Sequence, residues 1–478
     1  MKRAFGTTFV LALLIALAWG LVSFEKAQRS VWNRIKNPET VQKLKQFVAW
    51  KKAQAYADPD GVRQEFKRMF LQAERGDWLA LSNSVQEINW RDEDSQNGWH
   101  WHGLRLAVKD IIRAAARKVR GEQDYEMPPN MRGTGGVAIM EVHRAFGVFL
   151  KGDEAYSAKY GREIVGSMPP GSIYFGGTDP GLFIVTVLYQ PQLKDAPLFT
   201  LNQNELNLEG YLDNLRATYQ GRIDVPTATD LRKCLETYRD EMRERISDQT
   251  YLYEYSRMGI QGLLLQLILA RNPKHEAFIE LDYPIERIQS NLEPHGLIFK
   301  LNRQPVDKLS DEVLERDHGF WTNEIRPMIG GWLRDETSLQ EVAAFVKKTF
   351  SRGDLNGFTG DTNFIQNACS QSILSKSRSA IAGLYDWRAQ HAGDAAEKRR
   401  MAHAADFAFK QAWALCPSSL EAIYRYVNFL LAQNRFDDAL FLAETSAGLP
   451  QAKANEGLQQ LPAELKQWRT EHRPAPGN

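Results

Sequence analysis

A mainly α-helical chain with one small parallel-type α/β domain is the fold class the sequence predicts, on three observations. Apolar residues recur at spacings of three and four through most of the chain, as in "GVRQEFKRMFLQAERGDWLALSNSVQEI", which is the period of an amphipathic helix. Between residues 172 and 302 that rhythm gives way to short runs rich in aromatic and β-branched residues, "SIYFG", "PLFTL", "AFIELDY" and "GLIFKLN". A helix-length segment separates the first two, and strand–helix–strand with short connections is the pattern of a parallel βαβ unit. From about residue 311 the helical period returns and holds to the end.

Length and charge narrow the function classes. A chain of 478 residues exceeds one ordinary core, so more than one domain is expected. Sixty basic residues against 59 acidic ones leave a net charge of +1. That balance supplies no basic face, and nucleic-acid binding is not expected. Cys234, Cys369 and Cys416 are widely spaced and show no metal-ligand spacing. In an oxidising compartment Cys369 and Cys416 could bridge, while isolated cysteines also serve as small apolar fillers. No metal and no cofactor is expected.

Taken in order, residues 1–24 come first. Lys2 and Arg3 precede the uncharged run Ala4 to Phe24, 21 residues long. A bilayer-spanning helix needs about 20 apolar residues, whereas a cleaved secretory signal has an apolar core of roughly 7–15. Both readings, an uncleaved anchor facing the periplasm or outside and a cleaved signal, place the remainder outside the cytoplasm. The uncleaved anchor makes the membrane a partner through the N-terminal helix, and the cleaved signal gives a secreted protein.

Residues 25–129 read as a helical region, including "PETVQKLKQFVAWKKAQAYA" and, at 103–121, "GLRLAVKDIIRAAARKVRG". His100 and His102 in "WHWHG" have no third ligand nearby in sequence. The glycine-rich stretch Tyr125–Gly136 reads as a loop feeding the helix "VAIMEVHRAFGVFL", where His143 falls in an apolar pattern. Residues 130–310 form the α/β domain, of about four strands. Residues 311–374 connect it to the helices of 375–470.

That last region has a repeat. Ala405, Phe409, Ala412 and Pro417 follow the small–aromatic–small–proline order of the second helix of a tetratricopeptide repeat. Asn434, Phe436 and Ala439 occupy its turn, aromatic and small positions in the next unit, which Pro450 closes 33 residues after Pro417. The segment 375–450 thus resembles tetratricopeptide repeats, which stack helix pairs and present a concave face to proteins. The bland alternative is a set of helical hairpins that buttress the α/β domain.

The candidate site is "FGGTDPG", residues 175–181, between a strand and a helix. Asp179 suits a helix cap and Pro180 the first helical position. Gly176 and Gly177 suit positive φ or a close approach. Ligands of parallel sheets bind beyond the carboxyl ends of the strands, where this loop lies beside "NQNE", residues 202–205. Gly176, Gly177, Thr178, Asp179, Asn202 and Asn204 are therefore the candidate ligand-binding residues, for a hydroxyl-rich ligand, an amine or a cation. Neither a phosphate-binding glycine motif nor a G-x-S-x-G elbow is present, and no catalytic residue is assigned.

"GSIYFGGTDPGLFIVTVLY", "PLFTLNQ" and "LEPHGLIFKL" together resemble the soluble portion of bacterial glycosyltransferase-like multi-pass membrane proteins. In that resemblance Gly177, Thr178 and Asp179 correspond to part of an acidic loop, and Pro294, Gly296, Leu297, Phe299 and Leu301 to a later strand. This chain has one possible span and one acid in the loop rather than two. The resemblance therefore implies an extracytoplasmic accessory fold, without transferase activity. The whole chain also resembles secreted or membrane-anchored bacterial proteins with this loop followed by repeats. The function expected is a non-catalytic binding or scaffold module acting through the helical repeats, in envelope or glycan-related processes. The alternative is an enzyme or binding protein for a carbohydrate-like polar substrate at residues 176–179.

Overall fold

The computed structural model describes residues 30–57, 63–90, 134–190, 193, 195–245, 252–281 and 283–471. The apolar segment 1–24, the helix expected at 103–121, His100, His102, the loop up to residue 133 and the tail beyond residue 471 lie outside the described residues. Among the described residues no helix is long and apolar enough to cross a membrane. They fall into two compact units, one within Met1–Trp99, Tyr125–Glu154 and Thr186–Gln190, the other within Ala155–Val185 and Pro191–Asn478.

The first unit is helical: α1 (Val31–Arg34), α2 (Pro38–Ala55), α3 (Gln64–Glu74), α4 (Trp78–Trp90) and α5 (Thr134–Lys151). Asn37 caps α2 by accepting from the amides of Glu39 and Thr40, and Pro38 fills the first helical position. The apolar stripes of α2 and α3 close on α5 and bury Leu44, Phe47, Phe66, Phe70, Val137 and Phe146. The loop expected to run to Gly136 stops earlier, because α5 already includes Thr134. Gly135 lies so close to Phe66 that an added Cβ would sit 3.0 Å from its ring, so this glycine permits packing and not a bend. His143 stacks on Trp78 at 4.6 Å.

The second unit carries the sheet. Its elements begin with α6 (Glu154–Gly166), β1 (Ser172–Gly176), α7 (Asp179–Tyr189) and β2 (Leu198–Asn202). There follow α8 (Glu209–Tyr219), α9 (Ala228–Arg245), α10 (Leu252–Arg271), β3 (Ala277–Ile279), β4 (Leu292–His295) and β5 (Ile298–Leu301). The strand order is β2-β1-β3-β5-β4. β2, β1 and β3 are parallel, so β1–α7–β2 is the βαβ unit read from the sequence. The other two strands correct that reading. β5 runs antiparallel to β3 and forms a hairpin with β4, which makes the sheet mixed and five-stranded.

β4 is not among the four short runs that the sequence shows, and it contains Pro294, which a central strand would not tolerate. At the sheet edge a missing N–H is tolerated, and β4 is an edge strand. Gly296, at φ +64°, takes the first of the two turn positions between His295 and Ile298, where a tight hairpin of this kind requires positive φ.

Helices complete the unit: α11 (Asp311–Ile329), α12 (Leu339–Val346), α13 (Thr362–Gln366), α14 (Ala368–Gln390) and α15 (Ala395–Leu415). Then come α16 (Leu420–Ala432), α17 (Phe436–Ala447) and α18 (Glu456–Glu471). α14 packs on β5 and on the 3-10 turn Glu286–Asn291. Its Arg388 donates to the carbonyls of Ser290, Leu292 and Val306. Its Arg378 and Tyr385 both donate to Asp317 of α11, at 2.7 and 2.8 Å. From there the helices pack in succession, α14 on α15 and α16, α16 on α17, α17 on α18. Ala405, Phe409, Ala412 and Ala439 are all buried at these contacts, and Phe409 stacks on Tyr426 at 5.2 Å. Asn434 makes the turn between α16 and α17 at φ +58°. None of the three cysteines is disulfide-bonded; Cys234 and Cys416 are buried.

Candidate functional site at the carboxyl ends of the parallel strands

The parallel pairing aligns Gly176 of β1 with Asn202 of β2 and Phe175 with Ile279 of β3. The residues that leave the three strands therefore meet at one edge: Gly177–Thr178, Gln203–Glu205 and Glu280.

Glu280 organises this edge. It is 4% exposed, and it extends the ladder by donating its amide to the Phe175 carbonyl at 2.9 Å. The backbone amides of Gly177 and Thr178 donate to its Oε2 at 3.3 and 3.0 Å. The hydroxyls of Thr178 and Tyr160 donate to its Oε1 at 2.7 and 2.9 Å. The Tyr160 hydroxyl also lies 3.2 Å from Ser377 Oγ of α14. Paired loop amides ahead of a helix amino terminus form an anion-binding nest. Here its occupant is the protein's own carboxyl group. Burial pushes Glu280 above the usual carboxylate range, against the pull of the hydrogen bonds from Thr178 and Tyr160. Burial and the neighbouring Glu280 likewise push the Tyr160 and Tyr174 hydroxyls well above their ordinary value.

The glycines are explained by space. A Cβ at Gly181 would fall 1.8 Å from Glu280 Oε2, and one at Gly176 would fall 2.8 Å from the Leu182 backbone. Neither Gly176 nor Gly177 is at positive φ, so the conformational role expected for them is not the one they play.

The cap also differs from the expectation. Thr178, not Asp179, caps α7: its Oγ1 accepts from the Gly181 amide at 3.0 Å, and its carbonyl accepts from Leu182 N at 2.9 Å. Asp179 is the first helical residue and is exposed, and Pro180 follows at the second position. One hydroxyl thus serves two purposes, accepting from the helix and donating to Glu280.

Asn204 joins the second strand to this edge. Its Nδ2 donates to the Gly177 carbonyl at 2.7 Å, and its Oδ1 accepts from the Tyr283 hydroxyl at 2.8 Å. Asn202 is buried and accepts from the Asn204 amide at 3.0 Å, capping the 3-10 turn Gln203–Glu205. The structure therefore gathers Gly177, Thr178, Asn202 and Asn204 into one hydrogen-bonded cluster, with Asp179 on its exposed side. Beside them, Gln203 is fully buried and neither atom of its amide has a hydrogen-bond partner; the same holds for Nε2 of fully buried Gln261, whose Oε1 accepts from Tyr283.

Glu280, Tyr160, Tyr283 and Gln261 were not found from sequence. Glu280 had a signal: it is a charge placed directly after Ala277-Phe278-Ile279 and before Leu281, at the end of a strand-like apolar run. Tyr160 and Gln261 lie on helices and look like any other amphipathic position. No group of three or more potential metal ligands occurs among the described residues. Compared with protein-family models, curated proteins and solved structures, the chain matches none.

Proposed function

We propose that the chain is a non-catalytic extracytoplasmic binding protein, anchored or secreted through residues 4–24, whose C-terminal helical hairpins hold a partner protein. The observation that carries this reading is the succession α14 to α18. Of the small and aromatic positions that resemble tetratricopeptide repeats, Ala405, Phe409, Ala412 and Ala439 are buried between consecutive helices, as a stacked array requires, and Phe436 is half-buried. The first hairpin is fixed to α11 through Arg378 and Tyr385 and to the sheet through Arg388, while α16 and α18 keep exposed positions such as Asn428 and Gln460. The hydrogen-bonding groups of Gly177, Thr178 and Glu280 are engaged with one another, which favours a supporting role for that loop over a catalytic one.

A photo-cross-linking residue at Asn428 or Gln460, with the full chain in its own envelope, tests this. A discrete adduct is expected from both positions. The same adduct from exposed Glu209 of α8, or none from α16 and α18, overturns the proposal.

The side-chain amide of Gln203 and the Nε2 of Gln261, without partners among the described residues, favour a second reading, in which the strand ends bind a hydroxyl-rich, carbohydrate-like ligand. A saccharide that raises the wild-type melting temperature but not that of Asn204→Ala would support it.

A further inference from the structure

The carboxyl end of α11 borders a cavity of about 120 Å³ lined by Thr322, Ile325, Arg326, Gly330, Gly331, Leu333, Arg334 and, from α15, Gln411. Its polar groups are all of one kind. The Arg326 and Arg334 guanidinium groups make no hydrogen bond or ion pair with any described residue. The Thr322 hydroxyl is buried and has no partner. Gln411 is buried and its Oε1 accepts from Arg378 Nε at 2.7 Å, which leaves Nε2 as its end toward the cavity. No carboxylate lines the space. Of the acids near the arginines in the chain, Glu324 pairs with Lys159 at 2.7 Å and Asp335 lies 3.7 Å from His403, while Glu336 is exposed and does not line the cavity. Asp317, deeper in the unit, is neutralised by Arg378.

The wall is kept open by the chain's own turn. Gly330 ends α11 at φ +88°, a conformation that side chains rarely adopt. The Arg326 side chain folds against Gly331, its Nε 3.5 Å from where a Cβ would sit.

We propose that this cavity is a binding site for a tetrahedral oxyanion, the phosphoryl or sulfuryl group of a small ligand. Two planar cationic forks and an amide N–H border a space whose lining offers donors and positive charge and no carboxylate side chain. That is the complement of a group with several equivalent acceptor oxygens and about two negative charges. Its volume lies well below the roughly 300–1,000 Å³ of sites for drug-sized ligands, so the cavity holds the anionic group and leaves the rest of a ligand outside. This site is separate from the strand ends, and its test does not depend on the reading given above.

Calorimetric titration of the full chain with inorganic phosphate, then with sulfate and with glycerol 3-phosphate, tests the proposal at low ionic strength. The wild type is expected to bind one phosphate per chain with saturation below about 10 mM. Arg326→Gln together with Arg334→Gln should weaken binding at least tenfold, and each single variant by roughly threefold to tenfold, the range of one lost charge-assisted hydrogen bond. Arg352→Gln, at an exposed arginine outside the cavity, should leave affinity unchanged. Both arginines are exposed, so melting curves should show the double variant folded; the two single variants supply independent arms. Tighter binding of glycerol 3-phosphate than of phosphate identifies a monoester as the ligand class, and equal binding identifies the free ion. Absence of saturation in the wild type, or equal weakening by Arg352→Gln, overturns the site.

Discussion

Two places in the second unit present positive electrostatic ends, and they differ in what meets them. At the strand ends, the amides of Gly177 and Thr178 face inward and the Glu280 carboxyl fills the space before them. At the end of α11, the guanidinium groups of Arg326 and Arg334 border a cavity and no described residue answers them. A glycine-rich strand-to-helix turn is the feature that usually suggests a ligand, yet here the turn is completed from within the chain. An uncompensated pair of arginines, with no motif to announce it, is where a ligand remains to be supplied. The difference shows that donor geometry alone does not define a site; what matters is whether the fold has already used it.

If the carboxyl group is the turn's occupant, removing it should be the most damaging change. Glu280→Ala orphans two buried amides and two hydroxyls and opens a void, so a loss of about 3 kcal/mol or more is expected in urea unfolding. Glu280→Gln should lose only about 1 kcal/mol, because the amide oxygen still accepts from the backbone and its NH₂ can donate to hydroxyls that rotate. The sign of the pH dependence follows from the raised pKa of Glu280. A carboxyl that holds its proton longer folded than unfolded contributes stability that is full below the ordinary value of 4.5 and fades as pH rises through the folded pKa. The advantage of wild type over Glu280→Gln should therefore be greatest in acid and shrink toward neutral pH. An advantage that grows with pH would mean that the folded protein favours the charged form.

Gly181→Ala tests the same pocket from the other wall. Its methyl group would overlap Glu280 Oε2, and a loss of about 2 kcal/mol is expected from the forced shift. A neutral result would show that Glu280 can leave the turn easily, and would bring the strand ends closer in kind to the arginine cavity.

How far the sequence carried depends on whether an interaction is local. The helical period and the strands at 172–176 and 198–202 are short-range patterns, and each is legible. β4 is not, because Pro294 is a prohibition in a central strand and harmless at an edge, and edge position is a property of the whole sheet. The loop was found at the right place with the wrong inventory. Asp179 is the more familiar cap residue, and its neighbour Thr178 won because its hydroxyl also reaches Glu280, 102 residues away. Nothing near residues 176–181 in the chain foretells that partner. The arginine cavity was invisible for the opposite reason: an exposed arginine without a partner is indistinguishable in sequence from one that has found an acid.

The cap assignment gives the next, smaller effect. Thr178→Val removes both the acceptor for Gly181 N and the donor to Glu280, and should cost about 1–2 kcal/mol, with Thr178→Ser restoring most of it. Asp179→Asn keeps the side chain's shape and its acceptor oxygen and changes its charge in the first turn, so a smaller loss than at Thr178 is expected. Equal losses at the two positions would return the cap to Asp179.

The smallest effect is expected at the cavity, and its sign is what matters. Thr322 Oγ1 is buried and unpartnered, so the folded protein holds a hydroxyl that water would have satisfied in the unfolded chain. Thr322→Val removes that group at nearly constant shape, and an unmet polar group replaced by an apolar one is neutral to stabilising. In phosphate-free buffer the variant should match the wild type or exceed it by up to about 1 kcal/mol. Adding phosphate should raise the midpoints of the wild type and of Thr322→Val alike, and leave that of the Arg326→Gln, Arg334→Gln double variant in place, as linkage requires of a ligand that the arginines hold in the folded state alone. At the strand ends no anion should produce such a shift, because the carboxyl group that fills the turn cannot be titrated in from outside.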